Sequence, residues 1–200
     1  MTPKRTINEQ SKSDQKILSI ATAAAKLFSS KGYVETSGED IAAAAKMSKS
    51  AIYYYFSNKS EILYFVISTF LDTVLENVQQ GLEETKDPAE RLRLIVFRHI
   101  KTYIENMYLA KTLLNEAHNL PPAKLRKVQY KERQYFDAIS KTILSYAGHD
   151  MDRNKLTVLT FNLLGMCNWN YAWYNPKGPV TGEELSQMIF DIFTGAFWKI

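Results

Sequence analysis

Apolar residues recur at intervals of three and four along most of the 200-residue chain, and the period-two alternation typical of strands is absent. Glycine and proline contribute only 8 and 6 residues, so the periodic runs are rarely interrupted. The pattern predicts an all-α protein of about nine helices. No run of about 18 apolar residues exists, so we expect no membrane span and no membrane partner.

The residues that usually carry chemistry are scattered. His99, His118 and His149 fall on different predicted elements, and no HExxH, GxSxG, P-loop or paired-cysteine spacing occurs. We therefore predict no catalytic residues, no metal site and no cofactor. The single cysteine, Cys167, cannot form an internal disulfide, and the polar amino-terminal residues lack the apolar segment of a signal peptide. These features favour a cytoplasmic protein.

The excess of positive charge lies near the amino terminus. Residues 1–60 contain nine Lys or Arg against five Asp or Glu, whereas residues 61–200 contain sixteen of each. A local basic excess is typical of a surface that binds phosphate, but a solubilising tail gives the same count. Charge alone leaves both interpretations open. Residues 1–13 are predicted to be a flexible basic tail.

Residues 14–58 are predicted to form three helices. The first spans about 14–31 and stops at Gly32. A capping box over residues 36–39 starts the second helix. Ser48 starts the third, so only the short turn Lys46-Met47-Ser48 separates the last two. Three helices in this arrangement predict a helix-turn-helix domain, in which the amino-terminal part of the third helix reads the major groove of DNA.

The stretch from Ile20 to Leu63, IATAAAKLFSSKGYVETSGEDIAAAAKMSKSAIYYYFSNKSEIL, resembles the amino-terminal domain of TetR/AcrR-family transcriptional regulators. The resemblance implies a double-stranded DNA operator as partner and, as DNA-binding residues, Thr36, Ser37, Lys46, Ser48, Lys49, Ser50, Tyr53, Tyr54 and Lys59. In that scheme Thr36 and Lys59 would bind phosphate at helix starts. The family often has Gly where this chain has Lys46, so a strained left-handed backbone is expected there.

Residues 59–200 are predicted to form a helical ligand-binding and dimerisation domain. Predicted helix 4 covers about 59–84 and runs from the head into this body. Predicted helix 8, over 156–173, is apolar on nearly all sides, which indicates burial against a second subunit. Predicted helix 9 follows the cap at 181–184 with apolar residues at helical spacing. We therefore expect a homodimer through helices 8 and 9, as the resemblance also implies.

A binding cavity between predicted helices 4 and 8 would be mostly apolar. The candidate ligand-binding residues, each of which could also be plain core packing, are Phe70, Phe97, Tyr103, Met107, Tyr108, Leu113, His118, Arg133, Phe136, Phe161, Met166 and Trp169. Residues 115–121, 133–135 and 168–178 are similar to the bodies of TetR-family regulators of fatty-acid and steroid breakdown, which implies an acyl-CoA effector. Lys127, Lys131 and Arg133 would either meet its phosphates or face solvent.

The sequence is interpreted as a ligand-responsive repressor that a small hydrophobic effector, such as an acyl-CoA thioester, releases from a palindromic operator. The alternative is a TetR-like sensor of drugs or other xenobiotics that controls efflux. Such sensors often use buried carboxylates, for which Glu105 and Glu116 are the candidates in the body. An enzyme would need a catalytic constellation, and none is visible in the sequence. The sequence does not distinguish an activator from a repressor.

Overall fold

The computed structural model describes the backbone of residues 7–197 and the side chains of residues 12–195. All regular structure in this part of the chain is helical, which confirms the predicted fold class. A single 3-10 turn, Ala117–Asn119, follows the sixth helix. The α-helices are α1 (Ile7–Lys31), α2 (Gly38–Ala44), α3 (Lys49–Tyr55), α4 (Lys59–Glu84), α5 (Pro88–Glu105), α6 (Met107–Glu116), α7 (Pro122–Ala147), α8 (Arg153–Asn168), α9 (Asn170–Trp173) and α10 (Gly182–Phe197).

Helix α1 begins earlier than the sequence predicts. The flexible tail was predicted for residues 1–13, but α1 starts at Ile7. Residues 1–6, which include Lys4 and Arg5, lie outside the described residues. The later half of the predicted tail is therefore part of the first helix.

The turn between α2 and α3 closes through a Schellman motif. The backbone N–H of Met47 donates to the carbonyl of Ala42 over 2.9 Å, and that of Lys46 donates to Ala43 over 3.1 Å. Lys46 has a φ of 55°, which confirms the left-handed backbone expected at this position. Ser48 then caps α3 by accepting from the N–H of Ala51 at 3.1 Å. This geometry fixes α3 relative to α2 within a four-residue connection.

The three-helix head has its own apolar core. Ile20, Ala24 and Phe28 of α1 are almost fully buried. They pack with Ile41 of α2 and Ile52 of α3 in one continuous cluster that extends into α4. Burial of these side chains supplies most of the free energy that holds such short helices in place, because isolated helices of seven residues are unstable in water.

Two helices connect the head to the body. Helix α4 has 26 residues, so it is about 39 Å long, and it packs against α1 of the head and against α5 and α7 of the body. Helix α6 packs along α1, and beyond this contact the Glu116 carboxylate accepts a hydrogen bond from the Tyr33 backbone N–H at 3.2 Å. Helices α4 and α6 therefore contact the head and the body at the same time.

Predicted helix 8 is divided in the structure. Helix α8 ends at Asn168, Trp169 follows, and α9 adds one further turn. The Asn170 side-chain amide donates to the backbone carbonyls of Met166 and Cys167 at 3.0 and 3.1 Å. A side chain thus supplies hydrogen bonds to carbonyls at the end of α8. Predicted helix 9 corresponds to α10. Within residues 7–197, no helix is both long and apolar enough to cross a bilayer.

Candidate functional site

The exposed edge of the head contains seven of the nine predicted DNA-binding residues. These solvent-exposed side chains are Ser37, Lys46, Ser48, Lys49, Ser50, Tyr53 and Tyr54. They belong to the start of α2, the α2–α3 turn and α3. The structure therefore brings hydroxyl and ammonium groups together on one helix and its flanking turn, which is the arrangement that a reading helix needs.

The structure corrects the predicted roles of Thr36 and Lys59. Thr36 is only 1% exposed, and its hydroxyl donates to the carbonyl of Gly32 at 2.7 Å. The Lys59 ammonium donates to the carbonyls of Tyr33 and Thr36 at 2.7 Å and of Val34 at 3.3 Å. Both polar groups are thus occupied inside the chain. They organise the α1–α2 loop where phosphate binding was expected.

The Lys59 side chain is partly shielded from solvent. Its ammonium lies 4.2 Å from the centre of the Tyr33 ring, in cation–π geometry. Burial lowers the pKa of Lys59 from its ordinary value, and Glu35 opposes this shift. The three carbonyl acceptors explain why a cation is retained in such a position, since they replace the water that the ammonium loses.

Helix α3 is tied to α2 by contacts between their side chains. Lys49 forms an ion pair with Glu39, which raises the pKa of Lys49 and lowers that of Glu39. The Tyr53 ring covers Gly38, since a Cβ atom added there would lie 2.5 Å from the Tyr53 hydroxyl oxygen. Tyr54 is 69% exposed and stands edge-on to Tyr55. Tyr54 is therefore the aromatic side chain of α3 most accessible to a partner.

The body contains a cavity of about 920 Å³ bounded by residues of α4, α5, α6, α7 and α8. Five of the predicted ligand-binding residues line it, namely Tyr103, Leu113, Arg133, Phe136 and Phe161. Its volume is in the range of small-molecule and cofactor sites. Leu71 and Val74 of α4 form part of the same wall, so an occupant of the cavity would touch the helix that reaches the head.

The remaining predicted ligand-binding residues lie elsewhere. Phe70 is buried in the core, where its ring meets Tyr103, and the half-buried Met166 packs against the same core. Met107 faces a narrow gap beside Tyr174, and Phe97 faces the groove between α5 and α10. Tyr108, His118 and Trp169 are exposed. Spacing identifies the apolar face of a helix but does not show which part of that face borders a cavity.

The charges along the cavity are balanced. Arg133 and Arg153 line it together with Glu132 and Asp137. Partial burial raises the pKa of the Glu132 carboxyl. The two carboxylate candidates from the sequence are placed differently, because Glu105 is exposed and Glu116 accepts from Tyr33 and from the Asn119 amide at 2.9 Å. The cavity carboxylates therefore come from α7, which sequence reasoning missed.

The lysines of α7 point toward α4. The Lys131 ammonium donates to the Ser68 hydroxyl at 2.7 Å and pairs with Asp72 at 2.6 Å. Lys127 lies 6.0 Å from the centre of the Tyr64 ring. Of the three basic residues considered for this helix, only Arg133 borders the cavity.

A buried polar cluster lies behind the inner wall of the cavity. His99 is 4% exposed, its ring stacks on Tyr103 with 4.1 Å between centres, and its Nδ1 shares a hydrogen bond with the Tyr135 hydroxyl. Burial lowers the pKa of His99 to about 3, and the neighbouring Asn168 side chain opposes the shift only in part. Burial also raises the pKa of Tyr135 and, to about 12, that of Cys167. The cluster is therefore uncharged at neutral pH.

Sequence reasoning treated His99 as a structural residue and did not select Tyr135 or Asn168. One signal was available, because His99 sits on the otherwise apolar stripe of α5, four residues before Tyr103. Its pairing with a residue 36 positions away is a tertiary contact that no local pattern encodes. Within the described residues, no group of three or more His, Cys, Asp or Glu side chains could hold a metal ion.

Comparisons with known proteins agree with this architecture. Residues 20–64 match the family model for bacterial regulatory proteins of the tetR family, and residues 85–197 match that for the tetracyclin repressor-like carboxy-terminal domain. The transcriptional repressor KstR2 of Mycobacterium tuberculosis is 24% identical over 185 residues, which cover 88% of this chain and 90% of the relative.

Two solved structures illustrate the similarity in three dimensions. A TetR-family regulator from Bordetella parapertussis is 28% identical with a TM-score of 0.87, and the match covers 92% of this chain and 96% of the other. AibR, in complex with isovaleryl coenzyme A and operator DNA, is 26% identical with a TM-score of 0.78, covering 88% and 97%. Both structures match the head and the body together.

The two lysines of the head should behave differently when replaced. Lys59→Met is expected to lower the free energy of unfolding by about 2 kcal/mol, because three carbonyls lose a charged donor. Lys49→Gln removes only an exposed ion pair, so urea unfolding should detect no loss of stability. The Lys49 variant should instead bind DNA more weakly, with the salt slope of binding reduced by about one. Wild-type stability of the Lys59 variant would contradict the structural role assigned here.

The buried histidine should make stability depend on pH. Since the pKa of His99 is about 3 in the fold and about 6.5 in the unfolded chain, acid below pH 6.5 protonates the unfolded state preferentially. From pH 7 to pH 5 this should remove about 2 kcal/mol of stability. His99→Phe should lose this part of the pH dependence in urea titrations, whereas His149→Phe, at an exposed position, should retain it. Equal pH slopes for both variants would contradict the prediction.

Proposed function

Because the chain belongs to the TetR family of bacterial transcriptional regulators, we propose that it is a dimeric repressor that leaves a palindromic operator when an acyl-CoA thioester binds in the body. The cavity of about 920 Å³ against α4 is the observation that carries this proposal. The similarity to AibR, whose structure contains isovaleryl coenzyme A and operator DNA, supports the effector class. We infer that the protein acts in the cytoplasm, where its operator would lie.

The lining of the cavity suits the two parts of an acyl-CoA. Leu71, Val74 and Phe136 offer apolar surface to an acyl chain. Arg133 and Arg153 offer guanidinium groups, which bind phosphate in bidentate geometry. Glu132 and Asp137 place two carboxylates along the same cavity, and these favour a cationic drug as the second candidate effector.

In the proposed mechanism the dimer has two arrangements, and the ligand binds one of them more tightly than the other. This difference in ligand affinity would lead to release from DNA. We place the boundary between the DNA-binding and ligand-binding parts at residues 58 and 59, where α4 begins. Leu71 of α4 contacts the cavity about 18 Å along the helix from Lys59, which holds the α1–α2 loop. A ligand that fits the cavity better when α4 is displaced would stabilise the arrangement with altered head spacing.

The proposed dimer surface consists of the exposed apolar side chains of α8, α9 and α10. It comprises Val158, Phe161, Trp169, Trp173, Met188 and Ile192, each more than half exposed in the single chain. Large apolar patches of this kind mark interaction sites. Their position explains the nearly uniform apolar character of the 156–173 segment, because one face packs inside the chain and the other would pack against a second copy.

Acyl-CoA should weaken operator binding, and the cavity arginines should set its potency. In a fluorescence anisotropy titration, Arg133→Gln and Arg153→Gln are each expected to require about tenfold more acyl-CoA for release, since each removes a charge-assisted hydrogen bond. Lys155→Gln, an exposed residue of α8 that does not line the cavity, is the matched control and should respond like wild type. Release by a cationic drug but by no acyl-CoA would favour the second candidate effector.

A charge on the proposed dimer surface should produce monomers. Ile192→Asp would place a carboxylate in a desolvated interface, so light scattering should give the mass of one chain, 23.0 kDa, in place of two. Leu18→Asp is the control, because Leu18 is similarly exposed at 54% but lies on α1. A dimer that persists in the Ile192 variant would place the interface elsewhere.

A further inference from the structure

We infer that Glu116 of α6 is a positioning residue for operator binding. Through this carboxylate, α6 holds the Tyr33 peptide in the α1–α2 loop and with it the position of Tyr53 on α3, one of the predicted DNA-binding residues. Helix α6 thereby supplies a second connection between the cavity wall and the DNA-binding edge, in addition to α4. This role concerns the operator binding of the family and is separate from the identity of the effector.

The end of α1 leaves one backbone N–H for the body to bind. Gly32, in the left-handed region with a φ of 91°, donates its N–H to the Phe28 carbonyl at 3.1 Å, which closes the helix with an αL cap. The next N–H, of Tyr33, donates to the Glu116 carboxylate at 3.2 Å. In the α2–α3 turn the equivalent N–H, of Met47, is bound within the head. The α1–α2 loop therefore depends on the body for a bond that the other turn makes by itself.

The placement of Glu116 disfavours its own helix. It is the last residue of α6, where the negative end of the helix dipole disfavours a carboxylate. Within residues 12–195, no lysine, arginine or histidine forms an ion pair with it. The Oε2 atom that accepts from Tyr33 also accepts from the Asn119 side-chain amide at 2.9 Å, which holds the carboxylate toward the head. The position of this carboxylate thus serves the contact with the head rather than the stability of α6.

Tyr33 connects this contact to the DNA-binding edge. Its carbonyl accepts from the Lys59 ammonium, so one residue is bound by α6 through its N–H and by α4 through its carbonyl. Its ring packs on Phe28, with 5.3 Å between the ring centres. Burial raises the pKa of the Tyr33 hydroxyl and the Tyr53 hydroxyl raises it further, because the two phenol groups are close. A shift of the Tyr33 peptide would therefore move the ring that lies beside Tyr53.

The same helix borders the cavity. Leu113 and Leu114 line it, in the turn of α6 that ends at Glu116. An occupant that displaces these side chains would act on the last turn of α6 and so on the Tyr33 peptide. A chain of contacts does not by itself demonstrate coupling, so the tests must separate positioning from general stability and from charge.

The direction of the change in operator affinity separates positioning from charge. The probe is a fluorescent duplex carrying the operator that the wild-type protein selects from a random-sequence library. Glu116→Leu, which has no acceptor for the Tyr33 N–H, should weaken binding about tenfold, whereas Glu116→Gln keeps an acceptor oxygen and should stay within about twofold of wild type. Loss of a negative charge alone would instead strengthen DNA binding in both variants.

Glu105→Leu is the matched control, because Glu105 is also the last residue of a body helix and is exposed. It should bind the operator within about twofold of wild type, since it has no contact with the head. Tighter binding by Glu116→Leu, or an equal loss of affinity in Glu116→Gln, would contradict the positioning role.

A double-mutant cycle tests the route through Tyr53. If Glu116 acts on DNA through the position of Tyr53, Glu116→Leu combined with Tyr53→Phe should weaken binding no more than the stronger single change does, within about twofold. Combined with Lys46→Gln in the α2–α3 turn, Glu116→Leu should multiply the two separate effects. Multiplied effects in the Tyr53 pair would show that Glu116 acts by another route.

A measurement without DNA follows the head directly. In the ¹⁵N-tyrosine-labelled dimer, Glu116→Leu should move the amide signal of Tyr53 as well as that of Tyr33, whereas Tyr146, near the far end of α7, should not move. Melting curves show whether each variant is folded. If Glu116→Leu is not, Tyr33→Phe tests the same route and should weaken operator binding about threefold. A stationary Tyr53 signal in folded Glu116→Leu, or wild-type affinity of Tyr33→Phe, would overturn the inference.

These outcomes are distinguishable from failure of the proposed function, because none of the measurements uses an effector. Failure of every acyl-CoA to release the operator, with the Glu116 effects as expected, would defeat the proposed effector class alone. Wild-type operator affinity of Glu116→Leu, with release by acyl-CoA intact, would defeat the positioning role alone and leave α4 as the connection to the head.

Discussion

The hydrogen bonds of the Lys59 ammonium hold the two parts of the molecule in a fixed relation. Three carbonyls of the α1–α2 loop converge on one charged group at the start of α4. The loop has one backbone hydrogen bond of its own, from the Thr36 N–H to the Tyr33 carbonyl at 3.3 Å, and the Lys59 cation adds donors for three carbonyls. Because the ammonium is on α4, the orientation of the head is set by the helix that also lines the cavity. Helices α2 and α3 are too short to hold their positions alone, and the apolar core that they share with α1 stabilises them together with this clamp.

The far part of α4 meets a different kind of environment. Near Lys59 the ammonium donates to three carbonyls of one loop, whereas behind the cavity His99 interacts with the side chains of Tyr135, Tyr103 and Asn168. Burial keeps this second network uncharged. The molecule thus has a charged network at the junction with the head and an uncharged one behind the cavity.

The sequence predicts the helices well and the side-chain partners poorly. The bounds of α4 follow from a capping residue and a periodic apolar stripe, both of which are local. The left-handed backbone at Lys46 also follows from local information. By contrast, the partners of Lys59 lie 23 to 26 residues away and the partner of His99 lies 36 residues away. The family resemblance implied phosphate binding for Thr36 and Lys59, and only packing shows that both groups are already used.

Helix α8 contributes residues both to the cavity and to the proposed dimer surface. One face carries the buried Leu159 and Leu163, a second lines the cavity, and a third belongs to the proposed dimer surface. Phe161 lines the cavity and is also 62% exposed, and Gly165 lines it with nothing within 4 Å of an added Cβ. A glycine inside a helix disfavours it by about 1 kcal/mol relative to alanine, and the open space at Gly165 would accommodate a Cβ atom. Because Phe161 belongs both to the cavity lining and to the proposed dimer surface, a ligand that contacts Phe161 would act on the proposed contact between the two subunits.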